Sequence, residues 1–125
     1  MPIIIDGWNL IRNKRSAIDD LDGDSLESAA MLIRYLHDFQ AAHKDPITVV
    51  FDSTNEYLGM KYTSTKSLRV VAAKDADKYI KKYIDEVPER QRPNLRVVSS
   101  DSEIFFYARS RYARPIRSED FWAKL

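Results

Sequence analysis

The stretch MPIIIDGWNLI, residues 1–11, begins as a short run of isoleucines and stops at Asp6, which the residues Gly-Trp-Asn follow at once. A brief β-branched run of this kind predicts a buried strand over residues 2–5. A carboxylate at the end of a buried strand is costly unless another group compensates its charge. The rest of the chain should therefore supply a partner for Asp6.

The composition describes one globular domain over residues 1–125. Its hydrophobic fraction of 44% is sufficient for a single core, and its 20 basic and 19 acidic residues leave a formal net charge of only +1. Bulk charge therefore does not predict a nucleic-acid partner, so any such surface must come from local placement of charge. The chain has no cysteine, which excludes disulfides and thiolate zinc sites and is compatible with a reducing cytosol.

The sequence shows neither a signal peptide nor a membrane-spanning segment. Asp6 interrupts the N-terminal apolar run after a few residues, and no basic region precedes that run. No run approaches the roughly 20 apolar residues needed to cross a bilayer. We therefore expect a cytoplasmic protein with no membrane partner, and the sequence leaves its oligomeric state open.

Apolar, β-rich runs alternate with helical patterns along the chain. Beyond the first strand, the predicted strands are ITVVFD (47–52), LRVVAA (68–73), LRVVSSD (95–101) and residues 115–116. The predicted helices cover residues 22–45, 74–87 and 102–113, and a last one begins at about residue 118. Residues 53–66 are predicted to form a loop or an irregular hairpin, and residues 88–93 a charged turn.

This alternation decides the fold class. Strands that alternate with helices form right-handed βαβ units and a mostly parallel sheet. The predicted strands are apolar on both faces, which is expected when helices cover both sides of a sheet. The sequence therefore predicts an α/β fold, a three-layer α/β/α sandwich.

Three predicted strands end in an aspartate, namely Asp6, Asp52 and Asp101, and Asp77 lies near the start of the helix after the third strand. Ligands of open parallel sheets bind beyond the carboxyl ends of the strands, so these four carboxylates should meet at one edge. Like charges at such short distances destabilise a fold unless they share a cation. Oxygen ligands without cysteine or a suitable histidine favour Mg²⁺ or Mn²⁺ over zinc.

Each acid also has an ordinary structural explanation. An aspartate at the end of a strand often caps the next helix, which explains Asp101, and Asp75 beside Asp77, as well as a ligand role does. Ser-Thr follows Asp52, so an Asx-type turn competes there. One such residue means little, but three strand-end acids together with Asp77 favour a metal site.

Residues near the first strand are candidates for holding a substrate. Asn9 could orient a carboxylate or contact a phosphate, and Trp8 could stack on a base or fill the core. Arg12, Lys14 and Arg15 follow the strand at the same predicted edge as the acids, where positive charge would meet a phosphate backbone.

Later segments offer further binding candidates. The predicted loop before the third strand interleaves two lysines with two tyrosines, a mixture typical of single-stranded nucleic-acid binding: Tyr57, Lys61, Tyr62 and Lys66. A second basic face is predicted from four arginines: Arg109, Arg111, Arg114 and Arg117. The FFY sequence at 105–107 is interpreted as core rather than as a binding platform.

Five pieces of the chain carry a family resemblance: IIIDGWNLI (3–11), ITVVFD (47–52), DADKYIKKYI (75–84), VVSSDSEIFFYA (97–108) and ARPIRSEDFWAKL (113–125). In this order they resemble the YacP-like branch of the NYN domains, which belong to the PIN-like nuclease superfamily. Each piece alone is unspecific, but the combination spans nearly the whole chain.

The resemblance implies a PIN-like α/β/α domain that acts as a metal-dependent endoribonuclease and hydrolyses phosphodiester bonds of RNA. In such proteins the acids matching Asp6, Asp52, Asp77 and Asp101 surround one or two Mg²⁺ or Mn²⁺ ions, and the residue matching Asn9 helps to organise the site. A carboxylate, that of Asp52 or Asp101, would accept the proton of the attacking water. Single-stranded RNA is the expected partner, and involvement of a ribosome or another RNA–protein particle is left open.

Two positions depart from the family pattern. Trp8 stands where the family often has tyrosine, and it keeps an aromatic side chain there. Lys81 stands where the family tends to have an acid, one turn beyond Asp77. Because that acid would help to hold a second metal, the number of metals is open.

Other functions fit parts of the sequence. A non-catalytic RNA-binding module of the same fold would use the same surface, with Lys81 and incomplete metal occupancy leaving it inert. A phosphoacceptor receiver domain needs a lysine at the end of a late strand, where this chain has Ile116 and Arg117. A haloacid-type phosphatase needs a second acid two residues after Asp6, where this chain has Trp8. The last two interpretations are therefore weaker than the nuclease.

Overall fold

The structure is a computed structural model that describes residues 1–18, 26–52, 65 and 67–125. Its strands are β1 (Ile3–Asp6), β2 (Ile47–Asp52), β3 (Leu68–Ala73), β4 (Arg96–Val98) and β5 (Arg114–Ile116). Its helices are α1 (Gly7–Ile11), α2 (Leu26–His43), α3 (Ala76–Glu86), α4 (Ser102–Ser110) and α5 (Ser118–Trp122), and a 3-10 helix covers Glu89–Asn94. No helix among these described residues is both long and apolar enough to cross a membrane.

The five strands form one sheet in the order β3-β2-β1-β4-β5, and every pair of neighbours is parallel. β1 lies at the centre, where Ile3 pairs with Ile47 of β2 on one side and with Arg96 of β4 on the other. The prediction of an α/β fold with a mostly parallel sheet is confirmed, and the described strands are in fact all parallel.

Helices cover both faces of the sheet, which explains why the central strand is apolar throughout. Ile3 and Ile5 belong to a core with residues of α1, α2 and α5, among them Leu36, whereas Ile4 belongs to a core with α3 and α4 that includes Ile80. All three isoleucines of β1 are fully buried. Successive side chains of a strand point to opposite faces, so both faces must be covered to bury all three. The predicted three-layer α/β/α arrangement is therefore confirmed.

The strand before α4 ends earlier than the sequence predicts, whereas α4 begins at Ser102 as predicted. β4 ends at Val98 and not at residue 101. The Ser99 hydroxyl accepts a hydrogen bond from the Asp101 N–H (3.1 Å), and the Asp101 carboxylate then caps the helix. Side chains thus accept the backbone N–H hydrogen bonds of this stretch, in place of the strand pairing that the sequence predicts.

Other predicted elements agree with the structure to different degrees. β2 and β3 have the predicted bounds. α1 has no counterpart in the prediction, because a five-residue helix directly after a strand is too short to show a period. The predicted turn at 88–93 overlaps the 3-10 helix, which extends one residue further, and the predicted loop at 53–66 lies outside the described residues except for Thr65.

The topology brings several element ends to one side of the molecule. Because all five strands are parallel, their carboxyl ends lie along the same edge of the sheet. α1 begins there directly after β1, and α3 and α4 begin there after β3 and β4. We call this side the carboxyl edge, formed by the ends of β1–β5 and the first turns of α1, α3 and α4.

Candidate active site

Asp6 is a buried acid at the end of the central strand, with 8% of the residue exposed. The Ser99 hydroxyl donates a hydrogen bond to its Oδ2 at 3.4 Å. Burial, followed by the negative charges of Asp77 and Asp101, raises the pKa of Asp6 from 3.8 to about 6. Among the described residues no lysine or arginine forms an ion pair with this carboxylate. The described part of the chain therefore leaves its charge uncompensated.

A group of three acids lies where α3 and α4 begin. Carboxylate oxygens of Asp77, Asp101 and Glu103 lie within 4.8 Å of one another. Burial, followed by the charges of Asp101, Asp75 and Glu103, raises the pKa of Asp77, whereas the charge of Lys81 lowers it. Every ligand atom that this group offers is a carboxylate oxygen, a set that suits Mg²⁺ or Mn²⁺.

Asp101 is a helix cap as well as a member of this acidic group. Its Oδ1 accepts hydrogen bonds from the backbone N–H groups of Glu103 (2.8 Å) and Ile104 (3.3 Å). Asp75 is an ordinary cap, and its Oδ1 accepts from the Lys78 N–H (3.1 Å). The capping interpretation of Asp101 is confirmed. It does not exclude a ligand role, because capping uses only one of the two carboxylate oxygens.

A cleft of 430 Å³ joins the acids of different strands. Its lining residues are Asp6, Trp8, Asn9, Arg12, Asp52, Ala76 and Asp77. Asp52 is the last residue of β2 and is exposed, whereas Asp6 is buried. Three of the four predicted acids thus line one cleft, and Asp77 connects them to Asp101. Asp6 and Asp52 lie outside the set of oxygens that approach within 4.8 Å.

Trp8 packs in the core beside the cleft. It is 5% exposed, and its ring meets the Phe51 ring edge-on with centroids 4.9 Å apart. The indole N–H donates a hydrogen bond to the Asp52 carbonyl oxygen (2.9 Å), and the Arg12 guanidinium lies 5.5 Å from the ring centroid. Of the two interpretations of Trp8, these contacts favour the core. Its contact with substrate remains a prediction.

Gly7 makes room for the same aromatic packing. A Cβ at this position would lie 2.6 Å from Cε1 of Phe51, closer than side-chain carbons approach each other. Phe51 directly precedes Asp52 in β2. The missing side chain therefore lets α1 pack against the strand end that carries the exposed acid.

Asn9 braces the turn that carries Asp101. Its Oδ1 accepts hydrogen bonds from the Ser100 N–H (2.8 Å) and from the Ser118 hydroxyl (2.7 Å). These bonds connect α1 to the end of β4 and to the start of α5. The geometry fits the organising role that the resemblance implies, whereas direct contact of Asn9 with a substrate remains a prediction.

The three basic residues predicted to contact phosphate lie at different places on the surface. Arg12 lines the acidic cleft, and Lys14 is exposed in the turn after α1. Arg15 lines a different depression, together with Glu119 and Asp120. Of the three candidates for phosphate contacts, Arg12 is thus the one that reaches the acids. The lysines and tyrosines of the predicted loop lie outside the described residues: Tyr57, Lys61, Tyr62 and Lys66.

The core interpretation of the FFY sequence is wrong for its middle residue. Phe106 is 54% exposed, while Phe105 and Tyr107 are half-buried. α4 buries Ile104 and Ala108 instead. These two residues are four apart and face the sheet, so the ring between them in sequence points away from it.

Comparison with known proteins identifies the family. Residues 3–125 match the model of the YacP-like NYN domain. The chain belongs to the YacP-like NYN domain family. Two solved structures, of Rae1 (YacP) from Bacillus subtilis and of a point mutant of it, are similar to this NYN domain at 20% identity, with TM-scores of 0.73 and 0.76. They cover 99% and 98% of this chain and 72% and 73% of their own.

A search of curated protein sequences finds no significant match to this NYN domain. Family membership implies a nuclease-type fold and hydrolase activity, with RNA as the substrate class. The acidic group of Asp77, Asp101 and Glu103 is present in the described part of the chain.

Glu103 belongs to the acidic group of this NYN domain, but the sequence does not identify it as a site residue. From its position, Glu103 is expected only to be an acid in the first turn of a helix, where negative charge is favourable. The packing of α4 against α3 brings it close to Asp77. Lys81 forms an ion pair with Glu103 and lies 5.4 Å from the centroid of the Tyr107 ring. A positive charge therefore stands next to the acids.

Proposed function

We propose that this chain is a metal-dependent endoribonuclease that hydrolyses phosphodiester bonds of single-stranded RNA, with Mg²⁺ or Mn²⁺ held by Asp6, Asp52, Asp77 and Asp101. The observation that carries the proposal is the meeting of acids from β1, β2, α3 and α4 at the carboxyl edge of a nuclease-type fold. Carboxylates that are distant in sequence, crowded and partly buried favour a site that a cation completes.

The donor set fits a hard divalent cation, and the acids divide into two kinds. Asp6, Asp77 and Asp101 are buried or half-buried and would hold the ion. When bound, such an ion supplies Lewis-acid stabilisation of the charge that develops on the phosphate. Asp52 is exposed in the same cleft and caps no described helix. One of its carboxylate oxygens would complete the ligands of the ion, and the other accepts the proton of the attacking water. Arg12 adds a positive charge at the cleft for an RNA phosphate.

A non-catalytic RNA-binding module of the same fold is the second candidate, and Lys81 is the observation that favours it. Its ammonium group already pairs with Glu103 in the acidic group and so competes with a metal ion for the same negative charge. Such a module would bind RNA without cutting it. Both candidates are compatible with action on a ribosome or another RNA–protein particle.

Cleavage of end-labelled single-stranded RNA in Mn²⁺, Mg²⁺ and EDTA separates these functions. We expect the wild type to cut RNA with metal and not in EDTA. Asp6→Asn and Asp77→Asn should lose at least about 100-fold of the cleavage rate, because even outer-shell partners of a metal are worth 10–100-fold. Asp75→Asn is the matched control: it lies two residues from Asp77 but is a cap that Asn replaces well.

Filter binding of the same RNA, measured beside cleavage, lets each outcome distinguish the two functions. RNA bound but uncut in both metals supports the binding module. Equal cleavage by the wild type and by the Asp6 and Asp77 variants contradicts a role of these acids in cleavage. Absence of both binding and cleavage contradicts the two functions together.

A further inference from the structure

Aromatic rings and arginines lie together on the outer face of α4. Phe106 is 54% exposed, and the ring of half-buried Phe105 packs edge-on against it with centroids 5.5 Å apart. The Arg117 guanidinium lies 4.2 Å from the centroid of the Phe105 ring. Arg109 is exposed and follows the two phenylalanines by four and three residues, which puts it on their face of the helix. We call Phe105, Phe106, Arg109 and Arg117 the α4 platform.

Packing of α4 does not account for the exposed ring. The helix faces the sheet through Ile104 and Ala108 and contacts α3 through Glu103 and Tyr107. Phe106 lies on the remaining side, where a polar residue would serve the fold equally well. A single exposed phenylalanine is common on protein surfaces. Here it has a second ring and two arginines beside it, and that combination points to a ligand.

Positive charge is concentrated on this segment. Residues 102–117 contain four arginines and a single acid, Glu103, although the whole chain carries a net charge of only +1. The Arg111 side chain is engaged by Asp85, with Nε 3.4 Å from Oδ1. The arginines of the α4 platform are exposed and flank its rings. The surface is therefore complementary to a polyanion that also presents flat apolar faces.

The α4 platform begins next to the acidic group. Asp101 caps α4, and Arg117 directly follows the end of β5, the strand beside β4 in the sheet. The Ser118 N–H donates a hydrogen bond to the Ser100 hydroxyl (2.9 Å), which joins these two strand ends. Adjacent strands lie about 5 Å apart, so the α4 platform starts one strand away from the acids.

We propose that the α4 platform binds the single-stranded RNA that flanks the scissile bond, with a base on the exposed ring of Phe106 and phosphates on Arg109 and Arg117. Aromatic rings that stack bases beside cations that meet phosphates bind single strands with little sequence preference. The contact of Arg117 with Phe105 holds its planar guanidinium in place before a phosphate arrives. The direction of the strand toward the acids rests on the proposed function, whereas the binding itself does not.

Fluorescence anisotropy with a labelled oligouridine in EDTA tests the α4 platform, because EDTA prevents metal-dependent cleavage during the measurement. Phe106→Ala should weaken binding at least about fivefold, the lower limit for loss of a stacked base. Phe106→Tyr keeps the ring and should bind like the wild type, while Phe106→Leu should bind like Phe106→Ala. Arg109→Ala should reduce the slope of log affinity against log salt by about 0.7.

Matched controls lie on the opposite face of the sheet. Met31 and Arg34 are exposed on α2, and Met31→Ala and Arg34→Ala remove the same kinds of side chain as the test variants. Both should bind oligouridine like the wild type. Thermal melting of every variant shows that losses of binding do not come from unfolding.

Different results would contradict the α4 platform and the proposed nuclease activity. Wild-type affinity and salt slope in Phe106→Ala and Arg109→Ala overturn the α4 platform, and so does equal binding by Phe106→Leu and Phe106→Tyr. Cleavage in Mn²⁺ is scored separately. A wild type that binds through the α4 platform but does not cut supports the platform and contradicts the nuclease. A wild type that cuts RNA while the platform variants bind normally contradicts the platform alone.

Discussion

Asp6 shows how one side chain connects the stability of this fold to the chemistry of its site. Its carboxyl group is buried at the end of the central strand, and Asp77 and Asp101 add negative charge nearby. Burial and like charge both disfavour the ionised form. A cation shared among these acids would instead favour the ionised form. The same negative charges that destabilise the metal-free fold would therefore bind the metal.

The pH dependence of stability should reveal this cost in EDTA. Since the pKa of Asp6 is raised from 3.8 in the unfolded chain to about 6 in the folded one, the folded state binds the proton more tightly. The free energy of unfolding should therefore fall as pH rises from 3.8 to 6, by about 3 kcal/mol from this group. Asp6→Asn cannot titrate and should gain that amount relative to the wild type between pH 3.5 and 7.

Urea unfolding of the two proteins across that pH range measures the difference, with Asp120→Asn as the control because Asp120 is an exposed acid. A difference between wild type and Asp6→Asn that stays constant with pH would contradict the assignment of the raised pKa to Asp6.

Trp8 offers a second residue-scale test. Because Trp8 is buried against Phe51, Trp8→Ala should lower the free energy of unfolding by about 3–5 kcal/mol. Trp8→Phe keeps a ring but loses the hydrogen bond to the Asp52 carbonyl, and should cost about 1–3 kcal/mol. Chemical denaturation measures both. If Trp8→Ala is as stable as the wild type but binds single-stranded RNA more weakly, the stacking interpretation is the right one.

At the scale of elements, the site is built from the first turns of helices rather than from strands alone. Asp77 lies in the first turn of α3, and Asp101 and Glu103 lie at the start of α4. Asn9 ties α1 to the turn before α4 and to α5 through two hydrogen bonds. The positions of the acids therefore depend on where these helices begin and on what holds their first turns.

Asp101 has two roles that different substitutions separate. Asp101→Asn keeps an N-cap acceptor, so the metal-free protein should be about as stable as the wild type. Asp101→Ala loses the cap of α4 and should cost about 0.5–2 kcal/mol. Both variants should lose the stabilisation that Mn²⁺ gives, because neither has the carboxylate. The same pair at Asp75 is the control: there the alanine variant should lose the cap while both variants keep the response to Mn²⁺.

Thermal melting of the Asp101 and Asp75 variants in EDTA and in Mn²⁺ distinguishes the two roles. Asp101 would be a cap and nothing more if Asp101→Asn retained the full response to Mn²⁺.

At the scale of the whole molecule, a parallel sheet with β1 at its centre gathers residues that are up to 97 positions apart. Asp6 and Asp52 end adjacent strands, and Asp101 follows the strand on the other side of β1. Residues 6 and 103 can therefore belong to one site although most of the chain lies between them. A metal bound there would hold β1, β2, α3 and α4 together and would stabilise the whole fold.

Mn²⁺ should therefore raise the melting temperature of the wild type. Binding to the folded state alone contributes about 2.7 kcal/mol when the free metal is at 100 times its dissociation constant. Asp6→Asn and Asp77→Asn should lose most of this response, whereas Asp75→Asn should keep it. Calorimetric melting of the four proteins with and without Mn²⁺ tests the shared site, and identical shifts in all four would exclude it.

Local sequence patterns were sufficient to predict the strands and the shared edge of their acids. The apolar runs at 47–52 and 68–73 predict β2 and β3 with their observed bounds, because β-branched stretches between polar segments have few alternatives to a buried strand. Parallel topology then requires the strand-end acids Asp6 and Asp52 to share an edge, which the sequence also reveals.

The packing of distant elements sets which side chains meet and which remain exposed. Glu103 joins Asp77 because α4 packs against α3, and Arg15 lines a different depression from the acids. Phe106 is exposed although its neighbours in sequence are half-buried. A period of 2 or 3.6 residues tells which face of an element is buried. It does not tell which residue of a distant element lies opposite, because that depends on how the elements pack and on where each one begins.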